Sequence, residues 1–303
     1  MLYGSASSPM KRLYEKGTRN LIAISKSQVP DALRDILASG NKSKDIIIAV
    51  VEAIASTALY AHVADRYASM GVMKDLVRIF TDHPDFRSYA VSIAMDAIWN
   101  LVEVVGQKAV ESMASDQAVV VALRKPFETV IKKGYKLDDK CLRNELAILM
   151  NYVIIEKKSH EFFFEKDPQE GRSLMDTIMH YATVDEIYSL EQGDNIHPGQ
   201  EKYVFTTTDE DIELKKLLWT TILYSGRDAD CATAHKEIME QNFLNCIMMY
   251  LDPQSSNPQL HRWQPPQLQE LQIHGLSLLC NLLPLIPEYI HSLNAHTYFV
   301  KMM

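Results

Sequence analysis

Hydrophobic residues recur along most of this chain at the spacing of a helix face. The clearest segment is 85–106, where apolar positions step by 4, 3, 1, 3 and 4 residues from Ala90 to Val105. These steps place the residues on one side of an α-helix. Further apolar residues fill much of the remaining circumference, which is typical of a helix buried between neighbours. We therefore expect Trp99, within this segment, to lie in an inner layer.

The same period predicts helices elsewhere, and alternating strand patterns are short. A short helix follows Pro30 and ends at Gly40–Asn41, and another begins at Asp209 after a capping-box signal in Thr207–Glu210. The other predicted helices cover about 44–57, 58–70, 72–81, 139–156 and 267–283. The pattern therefore indicates an all-α protein.

A similar short phrase closes several of these helices. It reads Ile-Trp-Asn-Leu around Asn100, Met-Asn-Tyr-Val around Asn151 and Cys-Asn-Leu-Leu around Asn281, with a looser version that has Tyr224 in place of Asn. Without insertions near 190–208 and 252–266, the spacing indicates a period of about 45 residues, within the HEAT/armadillo range. The prediction is an all-α, armadillo/HEAT-like right-handed superhelical solenoid of about six repeats.

This reading divides the chain into two parts. Residues 1–20 form a loosely ordered, polar N-terminal segment, and residues 21–303 form the repeat array. In such an array function resides in surfaces and not in a catalytic pocket.

Composition narrows the classes of partner. The net charge of −8 disfavours nucleic acid and anionic membranes as partners. No signal peptide is visible at the start, and the apolar runs are too short for a membrane span. The four cysteines lie in helical segments without CxxC spacing, so we expect reduced, mostly core thiols.

The residues at the repeated phrase are candidates for partner binding. An Asn side chain can donate to and accept from a peptide backbone, so Asn100, Asn151 and Asn281 could line a concave face together with Tyr224. The alternative is that each Asn bonds backbone within its own repeat. Tyr224 interrupts a regular Asn ladder, which favours the alternative.

Two irregular stretches supply the other candidates. Arg262 and Trp263 lie in the 252–266 loop, and Tyr203 and Phe205 lie in the 190–208 insertion. Trp and Arg are enriched at binding hot spots. The alternative for Trp263 is that its ring packs back on the next helix.

Catalytic and cofactor chemistry finds little support in the sequence. Cys231 and His235 are four residues apart on a predicted helix, but no second pair completes a structural zinc site. Paired acids such as Asp138–Asp139 read as helix starts. We expect no enzyme activity, metal, cofactor or small-molecule substrate.

Several passages resemble one armadillo-type family of motile cilia and sperm flagella, the cilia- and flagella-associated protein 69 family. They occur in order along about 50–300, namely Ala97–Leu101, Leu142–Glu145, Glu213–Leu218, Gln269–His274 and Ile286–Tyr289. Proteins of this family are generally longer, so the sequence is expected to be a short version or a part of a longer protein.

The resemblance implies a structural scaffold subunit of the axonemal central apparatus that supports motility. It implies other projection proteins as partners, including the large sperm flagellar scaffold protein, and a position close to microtubules. It also implies location in the axoneme of the cilium or flagellum, with a cytoplasmic pool before assembly. The alternative is a soluble armadillo adaptor that binds extended peptides transiently in a concave groove.

Overall fold

Only helices occur as regular structure in the part of the chain that is described. The computed structural model describes residues 20, 22–40, 43–82, 89–114, 163–166, 171–192, 207–227, 231–240 and 242–292. No strand is present in these ranges, which confirms the all-α class. The chain divides into two compact units, Met1–Leu123 and Arg124–Met303.

The first unit is built from six helices that follow a helical turn at 22–26. They are α1 (Val29–Ser39), α2 (Lys44–Ala58), α3 (Ala61–Ser69), α4 (Val72–Asp82), α5 (Tyr89–Val105) and α6 (Gln107–Ala114). The connections are short, and two of them turn at glycines with positive φ, Gly40 and Gly71. A glycine reaches this left-handed region without the clash that a Cβ would cause.

Helix α5 is the centre of this unit. It packs against α2, α3, α4 and α6, and its most extensive contact is with α2. Ala94, Ala97 and Ile98 are completely buried, as the periodicity predicts. Trp99 is only half-buried, so its expected place in the inner layer is wrong. On a helix that is apolar on most sides, the arrangement of the neighbours decides which apolar residue stays partly exposed.

The second unit contains the remaining helices in chain order. They are α7 (Leu174–Gln192), α8 (Asp209–Ser225), α9 (Ala232–Glu240), α10 (Phe243–Leu251), α11 (Pro265–Leu282) and α12 (Pro287–Ser292), with 3-10 turns at Leu260–Arg262 and Leu283–Leu285. Helix α11 packs against both α8 and α10, and α7 packs against the same two helices. The core of this unit therefore lies among α7, α8, α10 and α11.

Ordered helix reaches the edges of the two proposed insertions. Helix α7 continues to Gln192, and α11 begins at Pro265 with prolines in its first turn. Proline is tolerated there because the first helical N–H groups have no partner within the helix. The predicted helix at 139–156, the segment 1–19 and Cys141 lie outside the described residues.

Two global features of the described residues bear on the expectations from composition. None of the described helices is both long and apolar enough to span a bilayer. The three described cysteines are free: Cys246 is buried, Cys231 is half-buried and Cys280 is exposed. The exposure of Cys280 departs from the expected core position, because this residue lies on the outer face of α11.

Candidate functional site

The second unit presents a face formed by two parallel helices, α8 and α11. Asp209, at the start of α8, accepts a hydrogen bond of 3.0 Å from the Gln267 amide. Further along, Thr220 Oγ1 lies 3.1 Å from His274 Nε2. Residues later in α8 therefore contact residues later in α11, as expected when equivalent helices of successive repeats stack.

Charged and aromatic contacts reinforce this pairing. Lys216 Nζ lies 2.6 Å from Glu270 Oε1 across the helix pair and 2.6 Å from Glu213 Oε1 on its own helix. The rings of Trp219 and His274 are stacked with centroids 6.1 Å apart. Burial lowers the pKa of His274, because the charged imidazolium loses its hydration there. The face is therefore a polar ladder above a buried aromatic layer.

Local sequence fixes where both helices begin. In α8 the Asp211 N–H donates to Thr208 Oγ1, and the Thr208 N–H donates to Asp211 Oδ2. This reciprocal capping box confirms the helix start that the sequence predicts, with Thr208 as the cap. Gln264 and Gln267 make the corresponding box at the start of α11.

A glycine sets how closely α11 approaches its neighbours. A Cβ at Gly275 would lie 3.2 Å from Ile247 Cγ2 and 3.5 Å from Trp219 Cζ3. The helix backbone therefore sits against both side chains, and a larger residue would push α11 away from α8 and α10.

Two of the proposed partner-binding residues lie on this helix pair. Tyr224 is half-buried near the end of α8, and the Arg227 guanidinium lies 5.7 Å from the centre of its ring. Asn281 is exposed on α11 and donates a 2.7 Å hydrogen bond to the Ser277 carbonyl of its own helix. Partner contact by either residue stays a prediction.

Asn100 lies in the first unit and connects two helices. Its amide Nδ2 donates a 2.9 Å hydrogen bond to the Ala55 carbonyl of α2. The acceptor is on the preceding stacked helix, not in the residue's own helix as the alternative has it. Asn100 is half-buried and its amide nitrogen is already engaged. A contact with a partner would use the rest of the group.

The loop before α11 places its two candidates differently. Trp263 is only 4% exposed, and its Nε1 donates a 3.1 Å hydrogen bond to the Tyr250 hydroxyl on α10. This burial corrects the expectation that the ring offers a face to a partner, because the unit's own core already covers it. Arg262 is half-buried and donates to Gln259 Oε1 at 3.0 Å. Asn151, Tyr203 and Phe205 lie outside the described residues.

The sequence reading missed a buried charged network beneath this face. Lys215 Nζ on α8 lies 2.7 Å from Glu186 Oε1 and 3.8 Å from Asp185 Oδ2 on α7. The Tyr250 hydroxyl donates a 2.6 Å hydrogen bond to the same Glu186 oxygen, and Asn257 Nδ2 donates to the Glu186 carbonyl. Four segments of the unit therefore meet at one carboxylate.

A weak signal for this network exists in the sequence. Lys215 follows Leu214 within an otherwise apolar stretch of α8, and Asp185 and Glu186 stand between Val184 and Ile187. Such positions normally suggest the polar side of a helix. Only the packing of α7 against α8 brings the opposite charges together.

Electrostatics keeps Lys215 protonated. Burial by itself would lower its pKa, but the adjacent carboxylates of Glu186 and Asp185 outweigh burial and raise it. Burial and Glu186 also raise the pKa of Tyr250, which stays a neutral donor. A protonated and inaccessible lysine is not a nucleophile, so the network acts to hold helices together. Within the described ranges no group of three or more His, Cys, Asp or Glu residues is placed to hold a metal ion.

Comparison with known proteins gives a single family. The family model described as "Cilia- and flagella-associated protein 69, ARM repeat" matches residues 12–303. Curated relatives with that protein name are 24% identical in Callithrix jacchus and 22% identical in Homo sapiens, each over 210 residues. The mouse (Mus musculus) relative is 23% identical over 207 residues.

These alignments cover 68% of this chain and 20% of each relative. The chain therefore spans about a fifth of the length of the curated relatives that it matches. The family match and the all-helical structure confirm the armadillo-type fold that the repeated phrase predicts.

Proposed function

The chain belongs to the cilia- and flagella-associated protein 69 family through its armadillo-repeat region, and on this premise we propose that it is a structural scaffold subunit of the axonemal central apparatus. The observation that carries the proposal is the match of the family model along residues 12–303. The family name associates such proteins with cilia and flagella. The central apparatus, the axonemal location and the cytoplasmic pool before assembly are parts of the proposal.

The proposed partners are other central-apparatus projection proteins, including the large sperm flagellar scaffold protein. The net charge of −8 favours protein partners over direct contact with the acidic tails of tubulin, because like charges repel. We therefore place the chain close to microtubules but attach it through neighbouring projection proteins.

The described surface supports a permanent interface over a transient peptide groove. Ile273 is 64% exposed on α11, and Leu276 is exposed one turn away. Exposed apolar side chains on one helix face are typical of a surface that a partner covers. A regular Asn ladder finds less support, since the Asn100 amide nitrogen already donates to Ala55 and the second unit has Tyr224 at the equivalent place.

A non-enzymatic role agrees with these features. Armadillo-repeat families typically act as scaffolds, and the buried Lys215–Glu186 pair is a structural contact. The proposal therefore assigns the chain no substrate and no cofactor.

The test is affinity purification of the tagged chain from ciliated cells, with the same cells before cilium formation as the control. We expect near-stoichiometric recovery of projection proteins that survives a salt wash, because permanent interfaces bury more than about 2,000 Å². Substoichiometric recovery of many soluble proteins that are lost in salt would overturn the proposal and favour the peptide adaptor.

A further inference from the structure

The outer face of α11 repeats the geometry by which α8 holds α11. Four α8 residues contact α11, namely Asp209, Lys216, Trp219 and Thr220. Tyr224 and Asn281 close the two helices at the equivalent place, 57 residues apart. The same shift takes the four contacting residues to Pro266, Ile273, Leu276 and Ser277.

All four of these α11 residues are exposed. Gln269 and Cys280 extend the same face toward the two ends of the helix, and both are exposed as well. We call this face, which consists of Pro266, Gln269, Ile273, Leu276, Ser277 and Cys280, the α11 stripe.

We propose that the α11 stripe is a docking surface for an amphipathic helix of a partner protein, which lies parallel to α11 as α11 lies on α8. The argument is continuity with the α8–α11 interface, because the stripe is the next position in the same stacking register. The inference rests on the proposed function, since the helix is expected to come from a projection protein.

The composition of the stripe defines the chemistry of the partner helix. Where α8 places Lys216, which pairs with Glu270 of α11, the stripe has Ile273. None of the six stripe residues carries a formal charge. The partner helix therefore presents an uncharged, apolar centre opposite Ile273, because a buried unpaired charge would be strongly unfavourable there.

A bulky residue in the middle of the stripe adds a steric requirement. In the α8–α11 pair, the buried Trp219 ring is accommodated by Gly275 of the next helix. Leu276 occupies the place of Trp219 in the stripe. We expect a small residue, Gly or Ala, near this position of the partner helix, so that the two backbones approach closely.

Orientation gives the sharpest test. A photo-crosslinking phenylalanine derivative replaces Gln269 in one variant and Cys280 in another, and each is expressed as the full chain in ciliated cells. The two positions are about 16 Å apart along a helix at 1.5 Å per residue. We expect both to capture one segment of one partner protein, with the Gln269 cross-link about three turns before the Cys280 cross-link in that partner's sequence.

Several results would overturn the inference. They are cross-links in the reverse order, cross-links to residues 293–303 of the same chain, cross-links to a second copy of the chain, and no cross-link above that of the probe at Ile46. Ile46 is a suitable control because it is also an exposed isoleucine on a helix, α2, in the other unit.

A charge placed in the stripe provides an independent measurement. We expect Ile273→Asp to lower recovery of the cross-linked partner by about tenfold or more, while the matched Ile46→Asp variant changes it less than about twofold. Melting followed by circular dichroism checks that both variants fold. Unchanged recovery with Ile273→Asp would overturn the docking surface.

The outcomes separate this inference from the proposed function. Recovery of projection proteins without ordered cross-links from the stripe rejects the docking surface and leaves the scaffold function intact. Ordered cross-links to a protein outside the central apparatus keep the docking geometry and reject the proposed location.

Discussion

Lys215 Nζ lies 2.7 Å from Glu186 Oε1 in the interior of the second unit. Lys215 is 3% exposed and Glu186 is completely buried, and the two residues are separated by 29 positions in the chain. The pair joins α7 to α8, and Tyr250 joins α10 to the same carboxylate. A buried ion pair of this kind is hard to break, because either charge left alone keeps the cost of its lost hydration.

Replacing the buried lysine should therefore destabilise the second unit severely. We expect Lys215→Met to lower the free energy of unfolding by about 3–5 kcal/mol, since Glu186 and Asp185 stay buried without their cation. Chemical denaturation followed by circular dichroism measures this change. The control is Lys216→Met, which removes a more exposed ion pair worth less than about 1 kcal/mol. Equal effects of the two variants would contradict the assignment.

The Asn100 hydrogen bond should stabilise the stacking of α2 and α5. Asn100→Ala removes the donor to the Ala55 carbonyl, and we expect a loss of about 1 kcal/mol in the free energy of unfolding. Asn281→Ala is the matched control, because its exposed amide bonds only within its own helix and should contribute less than about 0.5 kcal/mol. The inter-helix role would be refuted by a larger loss in the control.

Trp263 should behave as a core residue. We expect Trp263→Phe to cost about 1 kcal/mol, because it keeps most of the ring but loses the donor to Tyr250, and Trp263→Ala to cost about 3–5 kcal/mol. Thermal melting of the three proteins gives the order. If Trp263→Ala left the melting temperature unchanged, the ring would have to lie outside the core.

Glu237 on α9 should make stability depend on pH. Burial, together with the nearby charge of Asp176, raises its pKa to about 7, and Lys166 opposes this increase. Between pH 4.5 and 7 the folded protein keeps this proton while the unfolded chain releases it. Its contribution to stability is therefore complete below about pH 4.5 and is lost as the pH rises through 7.

Removing the titrating group should remove this dependence. We expect Glu237→Gln to be more stable than the natural protein at pH 8, by roughly 1–2 kcal/mol, and similar to it at pH 4. Glu240→Gln, an exposed change on the same helix, serves as the control and should alter stability little at either pH. Urea denaturation at the two pH values measures the difference, and a parallel shift at both would argue against the titration.

The described helices were largely predictable because their signals are local. The predicted helix over 44–57 is observed as Lys44–Ala58, and that over 72–81 as Val72–Asp82. The capping signal before Asp209 marks the observed start of α8. Helical period, caps and glycine turns act over a few residues, so a single sequence displays them directly.

The two tryptophans show where local reasoning failed. Trp99 lies on a strongly apolar helix and is half-exposed, whereas Trp263 lies in a loop and is buried against Tyr250. An apolar helix can bury any of its faces, so the pattern does not select the one that meets its neighbours. A loop residue likewise becomes buried only when two distant helices close around it.

The sequence by itself determined the helical class, the helix starts in its described part and, through the ordered family passages, the armadillo-type fold. Only the tertiary structure decided that Glu186, Lys215 and Tyr250 share one buried site and that the α11 stripe stays open. The physical reason is the range of the interactions. Helix formation depends on residues three or four positions apart, while ion pairing and burial depend on which distant helix faces come into contact.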